Sequence, residues 1–398
     1  MKKSYITRAL VIVIAISMLF ISVSKGNAAD AGKFILGFCT PLSGPNAEAG
    51  MQHLNSIKLA VKQINEKGGL NGQQVEIIAY DDEANPATSL AAMTKLATTD
   101  KANAVIGSIM SGCMIGALET IEQYKLPTFT GGMSSSLTEK GCHYIFRSVI
   151  NQDYVLGDVL NSLQLTGVKK VGIFTNQDEA QINAGDRFAE ECKKLGIEVV
   201  GREFGTDADT DYTAQCARLI DVEPDAMYFA LVTPIQPLFV RQVRDLGFRG
   251  MLWNRESFQQ NGIDVAGNSA SNYVAFSWPC VSYTDANDAT GTMKDYLTAY
   301  KAEYGQLPTS DTAYRGYDAM LVLEEACKIA GSNKREDIAA AVNTIKGLKV
   351  LGGEMDYTNG IGEGYQKGQV YYIKDGKYHS FQEWYDKGGY DEFIKSIS

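Results

Sequence analysis

Two residues in the stretch IGSIMSGCMIGALETI, Ser111 and Cys113, are of types that act as nucleophiles. A serine nucleophile needs a base to take its proton, and an α/β-hydrolase presents it in a GxSxG turn. No GxSxG occurs in the 398 residues. Only His53, His143 and His379 could serve as the base. His53 falls on the polar side of a helix whose apolar face is Leu54, Ile57, Val61 and Ile64, and all three histidines read as solvated surface groups. The isolated histidines and scattered cysteines have no metal-ligand spacing, so neither metal nor cofactor is expected. The glycine-rich GIGEG at 360–364 joins no strand to a helix and is followed by neither GKS nor GKT. It reads as a surface turn.

Ser111 has a position suited to binding. It follows the apolar strand NAVIG and precedes a helix, so its hydroxyl and the free N–H groups of the first helical turn would face a crevice. Such a place attracts anions, and a carboxylate or a phosphate suits it equally on these grounds. Plain capping of the helix by Ser111 is the alternative. A second loop rich in hydroxyls and glycine, TFTGGMSSSLTEKG, follows the next strand and should end on the same rim.

The elements that position these loops alternate strand and helix from Lys33 onward. FILGFC leads to a helix near 51–67 that Gly68 and Gly69 stop. QVEIIAYDD, NAVIG and LPTFT are further strands, with helices near 86–99 and 112–124 between them. The rhythm restarts after YIFRSV with helices near 153–163, 184–195, 212–220 and 235–246 between KKVGIFT, IEVVG, DAMYFALV and GMLWN. Single helices between strands imply parallel pairing, and two such series imply two doubly wound, Rossmann-like α/β lobes. Helices near 292–304, 311–330 and 335–346 follow, and the hairpin GQVYYIKDGKYHSF closes the chain on an Asp375-Gly376 turn.

The N-terminus has a basic start, an apolar run and small residues before Ala28, the pattern of a secretory signal peptide cut near Ala28. Removing it takes four of the 37 basic residues against 47 acidic ones, so the charge moves from −10 to −14. That excess argues against nucleic acid or an anionic membrane as partner. Seven cysteines would enter an oxidising compartment, where most read as small buried hydrophobes and one disulfide is conceivable.

The ordered set TPLSGPNAEAG, AVKQINEKGGLNGQQVEIIAYDDEANP, AVIGSIMSG, LPTFTGG, YIFRSV and AYRGYDAMLVLEEA resembles the periplasmic solute-binding proteins of branched-chain amino-acid type that serve ABC importers. The resemblance implies the type I periplasmic binding protein fold: two lobes joined by a three-segment hinge and closing on a ligand. The expected first lobe is 33–149 plus 281–347, and the second is 150–280 plus 348–398. It implies a monomer without enzymatic activity, working with an inner-membrane ABC permease. Ser111 matches the serine that grips the ligand carboxylate, Gly132 and Ser134 lie in the loop that supplies further contacts, and Glu256 matches the acid that pairs with the α-ammonium, with a solvated Glu256 pairing with Arg255 or another surface base as the alternative. Aromatic rings of the branched-chain binders are replaced at Ala49, near Asn183 or Ala184, and at Val232, so leucine, isoleucine and valine are not secure ligands. Tyr154, Gln177, Asp178 and Gln181 could line the second-lobe rim. An amino acid or close analogue is expected, with an aromatic carboxylate as the alternative and a secreted serine hydrolase behind both.

Overall fold

The structure, a computed structural model, describes residues 32–177, 179–206, 209–231 and 235–397. The expected signal peptide, Asp178 and Val232 lie outside the described residues. The first sheet comprises β1 (Phe34–Thr40), β2 (Val75–Asp81), β3 (Ala104–Ile106), β4 (Thr128–Thr130) and β5 (Ile145–Arg147), all paired in parallel in the order β2-β1-β3-β4-β5. β6 (Lys170–Asn176), β7 (Glu198–Gly205), β8 (Ala226–Ala230), β9 (Met251–Asn254) and β10 (Val274–Trp278) repeat that arrangement as β7-β6-β8-β9-β10. In each sheet the order reverses beside the first strand, between β1 and β3 and between β6 and β8. Crevices at the carboxyl ends of such switch points are where open α/β sheets bind ligands.

β11 (Leu348–Val350) and β12 (Gly353–Met355) form a separate small ribbon. β13 (Gln369–Lys374) and β14 (Lys377–Ser380) add to the second sheet as an antiparallel hairpin on β10. Its turn residues Asp375 and Gly376 both have positive φ, 52° and 71°, as the Asp-Gly turn requires.

The central strands are buried on both faces because helices cover each side, while the edge strands β2 and β7 are partly exposed. Phe34, Leu36 and Phe38 of β1 are fully buried, with Ile57 and Ile64 of the helix Ala47–Glu66 in the same core. Helix starts follow local chemistry. Asn85 accepts the N–H groups of Ala87 and Thr88 ahead of Pro86, and Asn151 accepts that of Asp153 at the start of Gln152–Leu165.

The chain leaves the first sheet after β5 and returns after β10, where the helix Thr312–Ala330 packs on Ala47–Glu66. It crosses again through 351–368 to β13. Three helix limits differ most from expectation: the helix expected from Met51 begins at Ala47, the one from Ala184 begins at Glu179, and the one from Arg335 to Lys346 stops at Val342.

Two surface readings are corrected. His53 is fully buried, not solvated, because Thr312–Ala330 covers that side of its helix. Gly316 makes the approach possible, since a Cβ there would lie 2.4 Å from the His53 ring. In GIGEG, Ile361 is exposed but Glu363 turns inward to pair with Arg147. All seven cysteines are free, six of them buried, with no disulfide among them.

Candidate ligand-binding cleft

Ser111 is the first residue of the helix Ser111–Gln123, and Met110 occupies the cap position without a side-chain bond. The Ser111 hydroxyl therefore does not cap its own helix. Its oxygen instead accepts the N–H groups of Met133 at 3.0 Å and Ser134 at 3.1 Å from the loop after β4. Both acceptor positions are filled, which leaves the hydroxyl proton to donate. The approach requires glycine at 132, where a Cβ would stand 3.0 Å from Ser111 Cα and Oγ. The N–H groups of Ser111 and Gly112 open the helix and bond to no described residue.

The loop Gly132–Ser134 is braced from behind. Thr130 Oγ1 accepts the Gly132 N–H at 3.0 Å. Arg147 donates to the carbonyls of Gly132 and Ser134 and, through Nε, to Glu363 Oε2 at 2.8 Å. Thr138 and Asn151 donate to the other carboxylate oxygen of Glu363, at 2.6 and 2.9 Å. This fully buried ion pair has every strong donor and acceptor engaged, the condition under which burying charge is tolerated.

A short chain of bonds links this half of the cleft to Glu256. Met133 O accepts the Gln152 N–H at 3.1 Å, Gln152 Oε1 accepts from Arg255 Nη2 at 2.9 Å, and Arg255 Nη1 pairs with Glu256 Oε1 at 2.5 Å. Gln181 Oε1 also accepts from Arg255, at 3.3 Å. Ser111, Gly132, Ser134 and Glu256 are thus brought into one bonded cluster spanning the first crossing. Glu256 already has a cationic partner in Arg255, with a quarter of its side chain exposed.

Ala49 lies in the first turn of Ala47–Glu66, and its carbonyl accepts from Thr312 Oγ1 at 2.8 Å. Asn183 and Ala184 line a recess between the helices Gln152–Leu165 and Glu179–Lys194 together with Val155, Val159, Tyr228 and Arg255. Gln177 is exposed, Tyr154 is half-buried, and neither lines that recess. Sequence reasoning missed Arg147 and Tyr228, whereas the pairing of Glu256 with Arg255 is the alternative it gave for that acid. The charged pair in RESF was the one visible signal.

Nothing in the cleft is poised for nucleophilic chemistry. No described histidine bonds to Ser111. Burial, reinforced by the negative charge of Asp82, pushes the Cys113 thiol up to about 12, so it stays protonated. Among the described residues no group of three or more metal-ligating side chains occurs.

Comparison with known proteins decides the family. The periplasmic binding protein family matches residues 35–377. The chain belongs to that family. This periplasmic binding protein is 27% identical over 359 residues to Leu/Ile/Val-binding protein homolog 1 of Brucella abortus (strain 2308), a match covering 88% of the chain and 93% of the relative. An amino acid binding protein of Pseudomonas aeruginosa is 29% identical over 218 residues, 54% of this chain and 58% of its own. The isoleucine complex of a branched-chain amino acid transporter substrate binding protein from Streptococcus pneumoniae superposes with a TM-score of 0.75 at 21% identity, covering 87% of this chain and 98% of that one. A solute binding protein from R. palustris in complex with benzoate gives 0.74 at 20% identity, covering 88% and 95%. The fold is therefore the type I periplasmic binding protein fold, and the family is one of binding proteins rather than enzymes.

Proposed function

We propose that this periplasmic binding protein holds a small amino-acid-like solute between its lobes, with the carboxylate on the Ser111 side and the ammonium on Glu256. The observation that carries the reading is the fixed Ser111 hydroxyl, whose free proton lies beside the unpaired N–H groups of Ser111 and Gly112. Three donors at a helix start suit a carboxylate. In this reading the Gly132–Ser134 loop fixes the angle of Ser111 and gives its amides to the serine rather than to the solute. The lobes are 33–149 plus 281–347 and 150–280 plus 348–398, the leader is cut near Ala28, and the monomer docks on an inner-membrane permease. Closure about the three crossings rewards a solute that both halves touch. Ala49 and Val232 stand at sequence positions where branched-chain binders carry aromatic rings, and in this reading their smaller side chains suit a larger solute.

Calorimetry of Ser111→Ala tests the assignment. Losing one hydrogen bond to a charged group costs about 1.5–3 kcal/mol, roughly a 10- to 150-fold rise in Kd, and unfolding free energy should fall as well because the Met133 and Ser134 N–H groups lose their acceptor. An unchanged affinity would remove Ser111 from the site.

A second reading, an aromatic carboxylate, gains support from the Arg255–Glu256 pair. Because Glu256 is already neutralised, an acid without an ammonium would not strand a bare carboxylate in the closed cleft. Titration with benzoate beside L-phenylalanine separates the readings: tighter binding of benzoate would remove the ammonium subsite.

A further inference from the structure

Two largely buried side chains on the second-lobe side each present a hydrogen-bond donor that has no acceptor among the described residues. Tyr228 is 2% exposed and stacks on Phe188 at 3.8 Å between ring centroids, yet its hydroxyl makes no hydrogen bond with any described residue. Arg255, 8% exposed, spends Nη1 and Nη2 on Gln181, Glu256 and Gln152. Its Nε–H has no partner among the described residues. Both line one recess of about 330 Å³, counted out to its open mouth, whose wall includes Val155, Leu156 and Val159.

Neither donor atom is sealed from solvent, so water can serve both in the free protein, and two donors on the wall of one recess are placed to take an acceptor from a solute that displaces that water. Burial holds the Tyr228 phenol well above the usual tyrosine range, and it therefore stays a donor at every physiological pH. The guanidinium can only donate. Gln152 belongs both to the recess wall and to the bonded chain from the Ser111 loop, so the recess opens beside the carboxylate grip.

We propose that this recess receives the tip of the solute's side chain, and that the tip carries an oxygen acceptor, a carboxylate or an amide carbonyl, bonding Tyr228 Oη and Arg255 Nε. The inference rests on the amino-acid-like reading above and adds the solute class: acidic or amide-tipped, with a short aliphatic spacer against Val155, Leu156 and Val159. One guanidinium then serves two groups along different edges, Glu256 on Nη1 and the tip on Nε. A hydrocarbon tip would expel water from the recess and leave both donors bare, and sites built to hydrogen-bond a group discriminate strongly against analogues lacking it.

Calorimetry of the mature protein, freed of bound solute, with L-norleucine, L-glutamine, L-glutamate and L-2-aminoadipate tests this. At least one oxygen-tipped solute should bind about tenfold or more tighter than norleucine, and that ratio should fall to within about twofold in Tyr228→Phe. Arg255→Lys keeps a cation beside Glu256 without the Nε–H and reads the same ratio should Tyr228→Phe fold poorly. Norleucine binding as tightly as the other three, or a ratio that survives both substitutions, overturns the inference while leaving the amino-acid-like reading in place. Binding of none of the four overturns that reading, and this one with it.

Discussion

The two halves of the cleft occupy equivalent places, the switch points of two sheets with the same strand order, yet they are finished to different degrees. On the first-lobe side the Gly132–Ser134 loop has its amides and carbonyls bonded within the protein, to Thr130, Ser111, Arg147 and Gln152. The second-lobe side keeps donors unpaired at Tyr228 and Arg255. A prebuilt grip suits a group that every candidate solute shares, because little ordering is left to do when the solute arrives. Open donors suit the part of the solute that varies. The difference teaches that affinity for a carboxylate and discrimination among solutes are separable in this fold.

The sharpest way to break the comparison is Arg147→Met. The substitution leaves the buried Glu363 carboxylate facing only Thr138 and Asn151 and frees the loop carbonyls. Removing one partner of a buried ion pair costs about 3–5 kcal/mol, to be read by urea unfolding. Adding Glu363→Leu should restore most of that loss, because no bare charge then remains. A single-variant loss below about 1 kcal/mol would mean that the first half is not braced by this pair.

Much of this architecture was legible in the sequence because its signals are local. Single helices between apolar strands gave the parallel sheets, Asp375-Gly376 gave the hairpin turn, and the serine after NAVIG marked the start of the helix Ser111–Gln123. What stayed hidden depends on partners far along the chain. The helical pattern of Ala47–Glu66 cannot register that Thr312–Ala330 covers its other side, so His53 looked solvated. Glu363 sits in a glycine-rich turn, and only its pairing with Arg147, 216 positions away, draws it inside. Tyr228 reads as a strand residue and Arg255 as a loop charge. Nothing in either segment reveals that the two face one recess.

pH gives the next largest effect and reports on the ground beneath the first half and at the hinge. Burial, with the positive charge of Arg315, lowers His53 from 6.5 to about 3, while burial raises Asp318 from 3.8 to about 7 against the bonds it accepts from Tyr365, Leu351 and Gly352. Between about pH 4 and 6.5 the unfolded chain binds a proton at His53 that the folded one refuses, so that term loses stability as pH falls. The folded chain binds a proton at Asp318 that the unfolded one has released, so this term gains stability as pH falls. The two slopes cancel in the native protein. Relative to it, His53→Leu should gain about 1.4 kcal/mol per unit of acidification in that window, and Asp318→Asn should lose about as much. Parallel curves for all three proteins in urea unfolding would show that neither group titrates as its burial requires.

The smallest expected effect is the most diagnostic of the second half. Tyr228→Phe removes a hydroxyl that has no acceptor among the described residues and keeps the ring stacked on Phe188. Unfolding free energy should therefore stay within about 0.5 kcal/mol of the native value or rise slightly. In the first-lobe half the analogous deletion, Thr130→Val, strands the Gly132 N–H in a buried loop and should cost about 1–3 kcal/mol. If both substitutions cost the same, the Tyr228 hydroxyl is engaged in the free protein and the asymmetry between the halves disappears. If only Thr130→Val is costly, the second half tolerates an unpaired donor in the absence of solute, and the stability it forgoes there is available to a solute that brings the acceptor.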